Sequence, residues 1–162
     1  MNLTKLLPLL TLTFTVAAPT FAAEISKINE NNMIGHWRCQ HQTEEPNTKM
    51  KVKVSYNINY AKQGKSSGSG TVFLKIPGMP ELTFNETDKS SWQLKGEQLV
   101  MTSTDINFTN VSHPQLNNFF NFNDILPDSI NESGKVLALT ASTLTVKSTA
   151  YGEVYSCSRL KG

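Results

Sequence analysis

Two cysteines, three histidines and thirteen carboxylates are the residues of this chain best suited to chemistry. His36, His41 and His113 lack the spacing of a tetrahedral zinc site, so no metal is expected. The run GKSS at 64–67 has the tail of a phosphate-binding loop. Its upstream glycine position falls on Asn59, however, and a strand follows where a helix is needed. Glu44 and Glu45 are adjacent and splay to opposite sides of an extended chain, which suits solvation better than acid/base work. Asp105 and Asp124 have no evident partner. The pattern predicts no catalytic residue, no cofactor and no enzyme.

The cysteines point elsewhere. The chain opens with Lys5, an apolar stretch LLPLLTLTFTVAA and the small-residue end APTFAA, the three parts of an export signal. Residues 1–22 are expected to be removed, by cleavage after Ala22 or Ala23, leaving residues 23–162 as one domain. The apolar stretch is too short and too interrupted to span a bilayer, and no stable membrane insertion is expected. Cys39 and Cys157 lie near the two ends of that domain, and in an oxidising compartment such a pair forms a disulfide. Of the fifteen basic residues only Lys5 lies in the signal, so the rest nearly balance the thirteen acidic ones. No Lys/Arg run offers a footprint for nucleic acid. The sequons at Asn85, Asn107, Asn110 and Asn131 are expected coincidences of an Asn-rich bacterial chain, exported to the periplasm or secreted.

Strands must position these residues. In MKVKVSYNINY, 50–60, Met50, Val52, Val54, Tyr56, Ile58 and Tyr60 alternate without error with polar residues, one dry face against one wet. KQGKSSGSG, 62–70, is expected to be a polar turn, and TVFLKI resumes the alternation before Pro77, Gly78 and Pro80 break it. ELTFNETDKSSWQL predicts one strand with a slip near Asp88, and LVMTSTDINF its return after the turn KGEQ. KVLALT, TLTVKS and EVYSCSRL are three short strands with hairpin-sized separators. With IGHWRCQH, 34–41, the count is eight, an all-β antiparallel up-and-down barrel. Residues 111–133 interrupt it as a short helix or long loop, with Pro114 as its opening and Phe119, Phe120 and Phe122 packed on a barrel end.

If the eight strands close into a ring, a Cys39–Cys157 bond between first and last strands sets their register. It places Trp37 opposite Arg159 and His41 opposite Tyr155, all on one face. A guanidinium over an indole contributes about 0.5–2 kcal/mol. Gly35, His36 and Trp37 thus form a G-x-W motif on the first strand, with an inward Arg159 on the last. In this the chain resembles the lipocalin-like (calycin) barrels, in which such a Trp and Arg close one end. The pattern differs in its short end strands, its brief first link QTEEPNTK and its long connection after the fifth strand rather than the first.

An eight-stranded barrel encloses one small ligand or fills itself with side chains, and the bulk of the inward residues leans toward filling. The resemblance implies a carrier of a small apolar molecule, with Val54, Tyr56, Trp92, His41 and Tyr155 as its contacts. A lone histidine beside a tyrosine suits a hydrogen-bonded wall rather than a catalyst. The alternative is a periplasmic interaction module (an inhibitor, immunity or accessory protein) that docks another protein through 111–133, with Phe119, Phe120 and Phe122 as anchors.

Overall fold

The structure is a computed structural model and describes residues 28–118, 122–124 and 127–161. The expected signal segment and two of the docking aromatics, Phe119 and Phe120, lie outside those residues. Eight antiparallel strands form a closed barrel in sequence order, β1 pairing with both β2 and β8. They are β1 (Gly35–Glu44), β2 (Lys51–Ala61), β3 (Lys65–Lys75), β4 (Leu82–Lys95), β5 (Gln98–Asn110), β6 (Ile130–Leu139), β7 (Thr143–Ser148) and β8 (Val154–Arg159). Closure pairs every strand on both sides over most of its length, which leaves little sheet edge to cover.

Cys39 pairs with Cys157 across the β1–β8 seam and the two are disulfide-bonded. Trp37 stands opposite Arg159, two residues along in each strand. The constant-sum register predicted from the cysteines is the one the chain adopts.

Two expectations need correction. The polar turn after β2 is only Lys62–Gly64, where Gln63 takes φ 64°. β3 already begins at Lys65, so Gly68 and Gly70 are strand residues facing Ile58 and Tyr56. Their low hydrophobicity reads as turn, but they are small because the Tyr56 ring lies across them: a Cβ on Gly68 would collide with the Tyr56 hydroxyl, and one on Gly70 with the ring. The slip near Asp88 belongs to the partner strand. β4 keeps one parity from Leu82 to Leu94, while β5 carries an extra residue opposite Asp88, with Asp105 at φ 50°. Asp105 is also ion-paired, 2.9 Å from Lys89.

The ring is uneven in height. β5 pairs with β6 only over Gln98–Ser103, so its last residues, to Asn110, run beyond the end of β6. Two asparagine amides from the long connection replace the missing strand. Asn123 Oδ1 accepts from Phe108 N at 2.8 Å, and Asn117 both accepts from Asn110 N (3.2 Å) and donates to Asn110 O (2.9 Å). An unpaired strand edge must find partners for its main-chain groups, and the Asn-rich sequence supplies them. The expected helix at Pro114 is a 3-10 turn, Pro114–Asn118, and Phe122 opens a second one, Phe122–Asp124.

Candidate functional site

The barrel interior divides along its axis. At the end where β1 starts and β8 finishes, a 3-10 turn at Glu30–Asn32 brings Met33 under the ring. Met33 and Trp37 are 0% exposed and Leu144 is 1% exposed. The indole Nε1 of Trp37 donates to Met33 O at 2.8 Å, so the polar atom of this buried ring is satisfied. Arg159 lies over the indole, its guanidinium carbon 4.2 Å from the ring centroid. Its Nη1 donates to Ile34 O at 2.7 Å, its Nε to Ala141 O at 2.5 Å, and its Nη2 to Asn32 O. Gly35 adopts φ 130°, and a Cβ there would collide with Arg159 Nη1. Each residue of the G-x-W motif that faces this end therefore has a steric or hydrogen-bonding task, and the end is shut.

Trp92 belongs to the same plug. It is 5% exposed, stacks edge-on against Tyr60 at 5.6 Å, and its Nε1 donates to Lys65 O at 2.9 Å under the β2–β3 turn. The structure thus places it outside the cavity wall, where the sequence pattern had placed it among the ligand contacts.

Beyond the plug the lumen opens into a cavity of about 330 Å³, within the range of small-molecule sites. The apolar bulk of the inward residues does not fill it. Gly68 and Gly70 give the Tyr56 ring room to lie across β3, and Gly134, in the cavity wall, lies against Val146. Val54, Ile58, Met101, Ile106, Ile130 and Val146 form its apolar wall. His41, Tyr56 and Tyr155, expected from parity to face inward, line it too. The rings of His41 and Tyr155 are 4.5 Å apart, as the seam register requires, and His41 Nε2 is 2.9 Å from Glu153 Oε2.

The polar groups of the cavity were not visible as a set in the sequence. Glu86 and Asp88 on β4 and Glu132 on β6 line it together with Ser103. Asp88 is held on both oxygens: the Tyr56 hydroxyl donates to Oδ1, and Ser90 Oγ to Oδ2. Ser103 Oγ lies 3.0 Å from Ser90 Oγ and extends the chain of hydroxyls to β5. Burial, and then the hydrogen bond to Asp88, push the Tyr56 hydroxyl far above its ordinary range. Glu86 is pushed up to about 7, first by burial and then by its like-charged neighbours Asp88 and Glu132. Glu132 rises for the same two reasons, burial and Asp88. Tyr155 is raised to about 12 by burial and then by Glu153.

The signal that would have found these carboxyls is parity. Leu82, Phe84, Glu86, Asp88, Ser90, Trp92 and Leu94 are all inward, and the polar middle of that series reads as an interruption only when hydrophobicity is followed instead of spacing. The adjacent pair Glu44 and Glu45 lies away from the cavity. Glu44 is 3.4 Å from Lys51, and Glu45 caps the β1–β2 turn, where hydrogen bonds from Thr48 hold its carboxyl down to about 2. Among the described residues no three His, Cys, Asp or Glu side chains converge to hold a metal, and no helix is long and apolar enough to cross a membrane. A scan against protein-family models gives no match to this chain, and a search of curated protein sequences gives none either.

Proposed function

We propose that this chain is an exported, lipocalin-like protein that carries a small, largely apolar molecule in its lumen and does no catalysis on it. The observation that carries the reading is the cavity of about 330 Å³ enclosed by a closed barrel, with His41, Val54, Tyr56 and Tyr155 in its wall. The Trp37–Arg159 stack behind Gly35 supports the family resemblance. The seam disulfide supports a bacterial periplasmic or extracellular location, where such a bond persists. Native mass spectrometry of protein gently purified from its own host is the test. The expected result is an adduct on the order of a few hundred daltons that is lost on denaturation. A bare chain that also fails to take up any apolar probe overturns the reading.

The docking alternative keeps one supporting observation. Met79 in the β3–β4 turn and Val111 at the start of the long connection are 46% and 41% exposed, and Val111 N bonds to Thr83 O beside that turn. A stoichiometric protein co-purifying from the host, and lost on substitution of Met79 and Val111 by serine, would favour this reading.

A further inference from the structure

The cavity is acidic in a way that an ordinary apolar cup is not. Three carboxyls, Glu86, Asp88 and Glu132, share its wall, and among the described residues no lysine or arginine lines it. His41, also in the wall, has its Nε2 2.9 Å from Glu153 Oε2 but in no hydrogen-bond geometry with it. Carboxylates removed from water without a cation are costly, and their negative field inside the barrel is strengthened by the low-dielectric walls. The arrangement is also built. Asp88 is fixed by Tyr56 and Ser90, which leaves Glu86 and Glu132 as the carboxyls without an ion-pair partner among the described residues.

Among the described residues no three such side chains converge to hold a metal ion. The rest of the cavity wall is largely apolar, with Val54 and Ile58 on β2, Met101 and Ile106 on β5, Ile130 on β6 and Val146 on β7.

We infer that the lumen selects a small amphiphilic amine, its protonated nitrogen set among Glu86, Asp88 and Glu132 and its hydrocarbon body against the apolar side chains of the same cavity. This rests on the carrier reading and narrows it from apolar molecules in general to cationic ones. Charge-assisted hydrogen bonds inside a shielded site are among the strongest polar contacts a protein makes, and they provide the discrimination.

A charge-matched series tests it on the intact, oxidised protein: n-octylammonium, 1-octanol and octanoate, titrated calorimetrically at neutral pH. The ammonium is expected to bind about tenfold or more tightly than the alcohol, and octanoate not detectably. In Glu86→Gln with Glu132→Gln, isosteric changes that keep the volume, the ammonium should fall to the affinity of the alcohol. The alcohol itself should bind as before, which also reports that the barrel is intact. Equal or tighter binding of octanol or octanoate overturns the choice of a cation and leaves the carrier reading standing. Failure of all three probes overturns both.

Discussion

At the closed end of the barrel Trp37, Met33 and Leu144 are at most 1% exposed and every donor of the Arg159 side chain that can be followed ends on a main-chain carbonyl. Further along the same lumen, Glu86 and Glu132 have no ion-pair partner among the described residues, and burial first, then the charge of Asp88, raises both carboxyls. Both regions are built by the same rule, alternate residues of eight strands pointing inward. They differ in whether the polar atoms are matched. A matched interior holds a ring shut, and the seam does this at one end of the barrel. On the carrier reading proposed above, the acidic half is where a ligand would be recognised.

Several substitutions would sharpen or break this contrast. The largest effect should come from replacing Cys39 and Cys157 together by alanine. The bond links residues 118 apart, and its loss should cost about 4–5 kcal/mol in chain-entropy terms, read from denaturant melts. Trp37→Ala should lower stability by about 3–5 kcal/mol, since the indole is 0% exposed. A loss under about 1 kcal/mol would mean the end is not a packed plug and would remove the structural half of the comparison.

In the acidic half the sign reverses. Glu86 has its pKa raised from 4.5 to about 7, so the folded form holds its proton more tightly than the unfolded chain. Its contribution is therefore fully present below about pH 4.5 and lost as the pH rises through about 7. Glu86→Gln should abolish that fall and stabilise the protein at pH 8 by about 1–3 kcal/mol. A variant with the wild-type pH dependence would show that the carboxyl is solvated. Gly68→Ala, which forces a methyl against the Tyr56 hydroxyl, should cost about 1–3 kcal/mol and release Asp88. Tyr151→Ser should change stability by less than about 0.5 kcal/mol, because Tyr151 is 77% exposed on the β7–β8 turn.

The closed end was legible because its signals are independent of packing detail. Two cysteines fix a register, the register fixes Trp37 against Arg159 and His41 against Tyr155, and the structure has each of these pairs in contact. The acidic half was not, for two physical reasons. Hydrophobic alternation is a proxy for inward-facing parity, and it fails where inward residues are polar, as at Glu86, Asp88 and Ser90. Small residues, moreover, read as turn when they serve packing: Gly68 and Gly70 look like a turn until one knows that the ring of Tyr56 lies over them. Trp92 shows the converse, for its inward position suggested a ligand wall, but the height at which β4 crosses the barrel puts it in the plug.

The seam has one more consequence, for the order of the chain itself. Because β1 and β8 are antiparallel neighbours, the two ends of the folded domain meet: Leu160 N donates to His36 O at 2.9 Å, and Arg159 reaches Ile34 O at 2.7 Å. Linking residue 161 to residue 28 through a short flexible bridge, and cutting the chain instead within 111–129, would leave all eight strand pairings in place. In such a permuted molecule today's seam becomes an ordinary hairpin, with its cysteines close in sequence. With a closed loop of about 20 residues in place of more than a hundred, the chain-entropy contribution of the disulfide would fall from about 4–5 to about 3 kcal/mol, so the permutant should lose less stability on reduction than the natural chain.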